Sequence, residues 1–208
     1  MVEQNQSSQL FVFTASDQAA EEHIKNSIAN PIASAICDLH CDSAVLARVR
    51  ERSGDGQFYA WGAKPGSRNQ GTWGRLEVGD HILAYQKGRY TFRSRVIEKL
   101  QNPDLARAIW GPEDGETWEL MYFLEKPVEI NVLASDVSDV LPASYQGFQR
   151  IVSAIPTILN LYGSVGNFLD QRFSINAATV TAGGTLSTVH SSPLPKTWWV
   201  CQGASYQQ

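Results

Sequence analysis

Short runs of apolar residues separated by turn residues dominate the chain between residues 10 and 132. Runs rich in β-branched and aromatic residues predict strands. Six such runs occur, at residues 10–14, 58–62, 81–86, 90–98, 118–124 and 128–132. The run 90–98 alternates most clearly, because Tyr90 and Phe92 share one face while Arg93 and Arg95 share the other. Lys87-Gly88, between two of the strands, predicts a tight hairpin turn.

Apolar residues at helical spacing predict helices between and after these strands. Four segments show this spacing, at residues 17–29, 33–50, 102–109 and 145–170. Residues 64–71 contain one proline and two glycines and predict a loop. Short strands with brief helices between them indicate an α+β fold, a small and strongly curved mixed β-barrel with helices outside it.

The chain has 208 residues and is 43% hydrophobic, which is enough for a sizeable core. It has no apolar run of the roughly 18 residues that span a bilayer, and its first residues lack the pattern of a signal peptide. We therefore expect a cytoplasmic protein with no membrane partner.

Positive charge is concentrated in the middle of an acidic chain. The formal net charge is −4, yet residues 58–99 hold eight basic and three acidic residues. Such a patch suits contacts with phosphate groups. The alternative is a solvated hairpin whose charged edges prevent aggregation. The candidates for phosphate contact are Lys64, Arg68, Arg89, Arg93 and Arg95.

Catalytic and metal-binding motifs are not evident in the sequence. It contains no phosphate-binding P-loop, no dinucleotide-binding glycine motif and no nucleophile elbow. Cys37, His40 and Cys41 resemble a metal corner, but a second pair of ligands with suitable spacing is missing. We therefore expect no enzyme activity, no metal and no cofactor.

Tryptophan is frequent in and just after the same basic stretch. Trp61, Trp73, Trp110 and Trp118 lie near Gly, Pro or Asn residues that favour loops. A tryptophan in a loop near basic residues can stack on a nucleobase. Each could equally be a core residue, because tryptophan is usually well buried.

The order of these motifs resembles the EVE domain and its eukaryotic relative, the YTH domain. The resemblance begins with Phe58-Tyr-Ala-Trp61-Gly62 and continues through Arg68-Asn69 and Trp73. It then follows Leu76-x-x-Gly79-Asp80-x-Ile-Leu and a hairpin containing tyrosine, and extends to Pro127. It implies a PUA-like domain over residues 10–150, a helical extension over 151–173, and a linker with the start of a further domain over 174–208.

The resemblance also implies a pocket for a single base. By position in the motif order, Trp61 and Trp110 match its two aromatic walls, with Gly62 and Trp73 beside them. Ser16 and Asp17 match the polar turn that reads the edge of the base, where the related domains often have asparagine.

The function implied is non-catalytic reading of a methylated base flipped out of duplex DNA. We expect 6-methyladenine, with 5-methylcytosine and 5-hydroxymethylcytosine as alternatives. EVE-type domains occur in restriction systems, so we expect fusion or coupling to a motor or nuclease module that this chain does not contain. The alternatives are a PUA-like module that binds methylated RNA, and a pocket for a nucleoside or other small ligand.

Overall fold

Seven strands of the described residues form one mixed sheet. The computed structural model describes residues 8–112 and 115–174. The strands are β1 (Leu10–Thr14), β2 (Tyr59–Trp61), β3 (His81–Gln86), β4 (Arg89–Gln101), β5 (Leu120–Leu124), β6 (Val128–Leu133) and β7 (Phe148–Ile151). Their order in the sheet is β2-β5-β4-β3-β1-β7, and β6 pairs with β4 beside this path.

The central strands are fixed by a parallel pair and a tight hairpin. β1 runs parallel to β3, with Leu10 opposite His81 and Thr14 opposite Tyr85. β3 turns into the antiparallel β4 through Lys87 and Gly88, whose φ values are 46° and 82°. Positive φ at both central residues matches the twist of the flanking strands, so the predicted hairpin turn forms.

Seven α-helices surround the sheet in the described part of the chain. They are α1 (Gln18–Ile24), α2 (Ser34–His40), α3 (Ser43–Arg52), α4 (Ser67–Gly74), α5 (Pro103–Trp110), α6 (Ile155–Tyr162) and α7 (Val165–Arg172). A π-helical turn, Lys25–Ala29, continues α1, and a 3₁₀ turn, Ala134–Val137, follows β6. No helix of the residues described here is long and apolar enough to cross a bilayer.

The sheet curls on itself without closing. Rings of Tyr122 in β5 and Phe148 in β7 stack with centroids 5.6 Å apart, although three strands separate β5 from β7 in the sheet order. The described strands β2 and β7 nevertheless do not pair with each other. The α+β class and the mixed sheet are therefore confirmed, but the sheet is an open, curved one and not a closed barrel.

Curvature gives the sheet an interior and an exterior, each with its own core. Along β1, Phe11 and Phe13 point into the concave interior, whereas Leu10 and Val12 point outward. The outward residues pack with Phe168 and other residues of α6 and α7. A third cluster covers the exterior of β2 and β5 with residues of α2, α3 and α5. β1 is therefore buried on both faces.

Several segments differ from the sequence-based expectations. The predicted loop 64–71 gives rise to α4, and the predicted helix 33–50 is two helices separated at Cys41 and Asp42. Strand β7 lies inside the stretch 145–170 that was expected to be helical. The expected linker and further domain cover residues 174–208. All of these except Ser174 lie outside the described residues.

Candidate functional site

An aromatic pocket opens where β1 and β2 end and β7 begins. Its volume is about 170 Å³, below the roughly 300–1,000 Å³ of most ligand pockets. The residues that line it are Phe13, Thr14, Trp61, Gly62, Ala63, Lys64, Asn69, Trp118, Gly147 and Phe148. A cavity of this size and aromatic character suits one planar ring better than a whole nucleotide. We call this cavity the aromatic pocket.

Gly62 allows two backbone segments of the pocket to lie against each other. A Cβ at Gly62 would be 2.2 Å from the carbonyl oxygen of Trp118, which is far inside van der Waals contact. Beyond this contact, Ala63 and Leu120 exchange both backbone hydrogen bonds, at 3.1 and 3.2 Å. The absence of a side chain at Gly62 thus allows the Trp118 segment to lie against the end of β2, where the hydrogen bonds between Ala63 and Leu120 hold it.

Trp61 is a buried wall of the pocket. Its exposed fraction is 1%. Phe13 stacks on it with centroids 4.3 Å apart and planes 21° apart. The ring of Trp118 meets it edge-on at 5.1 Å and 84°. Since Phe13 stacks on one face of Trp61, that face is not available to a ligand.

Trp110 lies in the same aromatic cluster but is not among the residues that line the pocket. Its Nε1 donates to Ser27 Oγ at 3.1 Å, and Ser27 Oγ in turn donates to the carbonyl of His23 at 2.9 Å. The rings of Trp61 and Trp110 are 6.2 Å apart and inclined by 65°. A base held between two rings needs them parallel and separated by about twice the 3.4 Å stacking rise. Trp61 and Trp110 do not form such a sandwich.

His23 packs among the tryptophans behind the pocket. It is 6% exposed, and its ring lies 4.9 Å from that of Trp118 and 5.8 Å from that of Trp110. The π-helical turn that follows α1 brings Ser27 under Trp110. Single π turns inside helices often occur at functional sites. Here the turn supports the aromatic cluster from the side away from the pocket.

Polar groups lie at the rim of the pocket. Thr14 Oγ1 accepts from the backbone N–H of Gly147 at 2.9 Å, which ties the end of β1 to the start of β7. Asn69 Nδ2 donates to the carbonyl of Lys64 at 2.9 Å. Within the described residues the Oδ1 atom of Asn69 accepts no hydrogen bond, so it can serve as an acceptor for a ligand.

Three of the predicted pocket residues have other contacts. Asp17 caps α1 by accepting from Ala20 N at 2.8 Å, and Ser16 Oγ accepts from Lys87 N at 3.3 Å. Trp73 lies in α4 and donates from Nε1 to the carbonyl of Met121 at 3.0 Å. None of the three is among the lining residues.

The predicted phosphate contacts are divided between the two ends of the sheet. Lys64 lines the pocket, and Arg68 is exposed in the first turn of the adjacent α4. Arg89 pairs with Gln86 at the same end of β3 as the pocket, and donates to Asn131 Oδ1 at 2.7 Å. Arg95 pairs with His81 at the opposite end.

Trp118 is the principal residue that sequence reasoning did not assign to the pocket. Its segment has the pattern of the start of a β-favouring run, and the strand begins only at Leu120. The motif order alone gives no signal that distinguishes Trp118 from Trp110, because both adjoin the same glycine-containing stretch, 111–117. In the structure Trp118 lines the pocket and Trp110 does not.

The cysteine pair has no metal-ligand set around it. No group of three or more potential ligands from His, Cys, Asp and Glu occurs among residues 8–112 and 115–174. Burial raises the pKa of the Cys37 thiol to about 12 and that of Cys41 to about 11. Both thiols are therefore protonated at neutral pH in the free protein.

The α+β fold expected from the motif order is confirmed, because a solved domain has a similar fold. The N-terminal domain of Thermococcus gammatolerans McrB, bound to m5C DNA, has a similar structure, with a TM-score of 0.59. The two are 13% identical, and the match covers 78% of this chain and 99% of the McrB domain.

A second similar structure is the YTH domain of the Zygosaccharomyces rouxii MRB1 protein in complex with N6-methyladenosine RNA. Its TM-score is 0.37, its identity is 20%, and the match covers 74% of this chain and 86% of the YTH domain. No protein-family model matches the chain, and no curated protein matches it in sequence.

Proposed function

We propose that this chain binds DNA and reads one modified base, which leaves the duplex and enters the aromatic pocket. The observation that carries the proposal is the pocket itself, with Trp118, Trp61 and Phe148 around it and Lys64 at its rim. The likeness in fold to a domain bound to m5C DNA supports the same function.

The proposed binding mode makes Trp118 the stacking ring. Trp61 has one face on Phe13, whereas Trp118 is only half-buried and is nearly perpendicular to Trp61, with ring centroids 5.1 Å apart. Trp110 and His23 then hold Trp118 in place from behind. The Oδ1 atom of Asn69 provides an acceptor for the edge of the base.

In this binding mode the free-energy cost of extracting the base and the free-energy gains from binding it are of comparable size. Extracting a base from a duplex costs a few kcal/mol. Stacking on an aromatic ring returns about 1–3 kcal/mol, and burying a methyl group adds about 0.8 kcal/mol. Contacts of Lys64, Arg68 and Arg89 with the flanking phosphates would supply the remainder. The small margin explains how one methyl group could decide between binding and release.

The methylated base is proposed to be 6-methyladenine or 5-methylcytosine. The resemblance of the motif order to YTH domains favours the first, although Trp61 and Trp110 do not form a sandwich here. The likeness in fold to the McrB domain favours the second. A reader of this kind would direct a motor or nuclease of a restriction system to modified DNA. We propose no catalytic role for the pocket. Its lining consists of aromatic rings, the Asn69 amide and backbone groups, together with the Thr14 hydroxyl and the Lys64 ammonium.

Binding to a panel of nucleic acids at one salt concentration tests the proposal. The panel contains matched duplexes with 6-methyladenine, 5-methylcytosine, 5-hydroxymethylcytosine or no modification, and an RNA with N6-methyladenosine. We expect one modified duplex to bind best. Equal binding to all the duplexes would refute the reading of a modified base, and tighter binding to the RNA would refute the choice of DNA.

A pair of variants connects that binding to the pocket. Trp118→Ala should weaken binding to the preferred duplex about 10-fold or more, the equivalent of one stacked base, and should reduce discrimination against unmodified DNA. Tyr162→Ala removes a half-buried ring on α6, which packs on the outer face of the sheet, and should leave both properties unchanged. An equal loss in the two variants would contradict the assignment of the pocket.

A further inference from the structure

A second cavity lies on the exterior of the sheet, between β3, β4 and α7. It has a volume of about 470 Å³, and Arg93, Arg95, His81, Ser164 and Asp170 are among its lining residues. We call it the arginine groove. Arg95 in β4 pairs with His81 in β3, and His81 pairs in turn with Leu10, the first residue of β1. The groove therefore lies at the Leu10 end of β1, remote from Thr14 and the aromatic pocket.

The two arginines of this groove have donors to spare. Arg93 Nη1 donates to Asp170 Oδ1 at 2.7 Å, its Nε is buried, and its Nη2 makes no hydrogen bond within the part of the chain described. Among the described residues, Arg95 makes only long contacts, 3.4 Å from Nε to the carbonyl of Gly79 and 3.8 Å from Nη1 to Glu125. A guanidinium carries five N–H donors in a planar fork that matches phosphate oxygens.

Asp170 is a weak competitor for these donors. Its side chain is 71% exposed, whereas that of Arg93 is 23% exposed. An exposed carboxylate of this kind contributes little to stability as an ion pair and can turn toward solvent. The Arg93–Asp170 pair therefore occupies the arginine in the free protein without closing the groove. Glu125 is even more distant from Arg95.

His81 indicates the electrostatic character of the groove. Burial lowers the pKa of His81 to about 4, and the positive charges of Arg95 and Arg93 add to this lowering, against the opposing effect of Asp170. At neutral pH the imidazole is therefore uncharged and able to donate one hydrogen bond. The first turn of α7 lies beside this ring, since a Cβ at Gly166 would be 3.8 Å from His81 Nε2.

We propose that the arginine groove binds a phosphate group, held by the guanidinium groups of Arg93 and Arg95, as a site separate from the aromatic pocket. His81 donates to the same anion, and the positive end of the α7 dipole adds a smaller attraction. The proposal rests on the groove and does not depend on the reading of a modified base. The phosphate belongs either to a nucleic-acid backbone or to a free phosphate compound.

The imidazole of His81 provides the test. Its proton resonances, assigned by their loss in His81→Gln among the four histidines of the chain, are followed through a pH titration in chloride and in inorganic phosphate at equal ionic strength. A bound anion stabilises the protonated ring, so phosphate should raise the pKa of His81 by about one pH unit. Arg95→Gln should abolish this rise. Arg107→Gln, which removes an exposed cation on α5, should preserve it.

A second arm distinguishes the two sources of phosphate. The same titration is repeated with an unmodified DNA duplex and the Trp118→Ala variant, in which the aromatic pocket no longer contributes. A rise with inorganic phosphate but not with the duplex assigns the groove to a free phosphate compound. A rise with the duplex, with or without one in inorganic phosphate, assigns it to the nucleic-acid backbone. No rise with either, or a rise that survives Arg95→Gln, would overturn the proposal while leaving the aromatic pocket untouched.

Discussion

The two ends of β1 differ in how they are built. At the Thr14 end the concave interior opens into an aromatic pocket whose walls are packed against each other and largely withdrawn from solvent. At the Leu10 end the exterior carries a wider groove with arginines that have unused donors. The first end is shaped by ring packing and the second by charge. We infer that ligands at the two ends are recognised by different forces.

The separation follows from two elementary properties of strands. Arg89 and Arg95 are six residue steps apart along β4, which corresponds to about 20 Å. Alternation then sends Arg93 and Arg95 to the exterior, whereas Phe92 and Val96 point into the interior. A basic stretch that is continuous in sequence is therefore split between the two ends of the sheet.

The largest expected effect concerns Trp61, which belongs to both the pocket and the core. Trp61→Ala should lower the free energy of unfolding by about 3–5 kcal/mol, since it removes a fully buried ring. The variant should therefore show a much lower midpoint in chemical denaturation. This outcome would show that Trp61, at the Thr14 end of β1, contributes to the core of the fold. Unchanged stability together with lost DNA binding would instead make Trp61 an open wall.

A smaller effect is expected at Gly62. Gly62→Ala places a Cβ against the Trp118 carbonyl, so the Trp118 segment must shift, at a cost of about 1–3 kcal/mol. Binding to the preferred duplex should weaken as well, because Trp118 would no longer lie over the pocket. Chemical denaturation and the duplex titration measure the two losses separately.

Gly71→Ala is the matched control for this change. Gly71 lies in α4, and its nearest neighbour to an added Cβ is the end of the Arg75 side chain at 3.9 Å. In a helix interior alanine is favoured over glycine by up to about 1 kcal/mol. Gly71→Ala should therefore leave stability equal or higher. A similar loss in both variants would show that the close approach at Gly62 is not the cause.

The parts of the fold that local patterns determine were predictable. β1 and β3 occupy the predicted residues, and the Lys87-Gly88 turn joins β3 to β4 as expected. α4 was not predictable, because its glycines and asparagine favour a loop. It is held by contacts distant in sequence, from Trp73 to the carbonyl of Met121 and from Lys99 to the Trp73 ring.

The pocket was predictable in kind but not in detail. Motif order brings Trp61 and Gly62 to it, and both line it. The placement of Trp118, and not Trp110, in the lining of the pocket depends on the curvature of the sheet, which has no local sequence signal. The participation of Asn69 depends likewise on α4, which places it at the rim.

The smallest expected effect concerns Arg68, and it tests whether this residue contacts a phosphate or the base at the pocket end of β1. Arg68 is exposed, has no ion pair among the residues described, and adjoins Asn69 at the pocket rim. If it contacts a phosphate, Arg68→Ala should weaken modified and unmodified duplexes alike, by about five-fold, and lower the salt dependence of binding by roughly one charge. Discrimination between the duplexes should not change, because phosphates carry no information about the base.

Arg107→Ala, which removes an exposed cation paired with Asp104 on α5, is the control and should leave affinity and salt dependence unchanged. A loss confined to the modified duplex would place Arg68 in base recognition, and an equal loss from Arg107→Ala would reduce both effects to net charge.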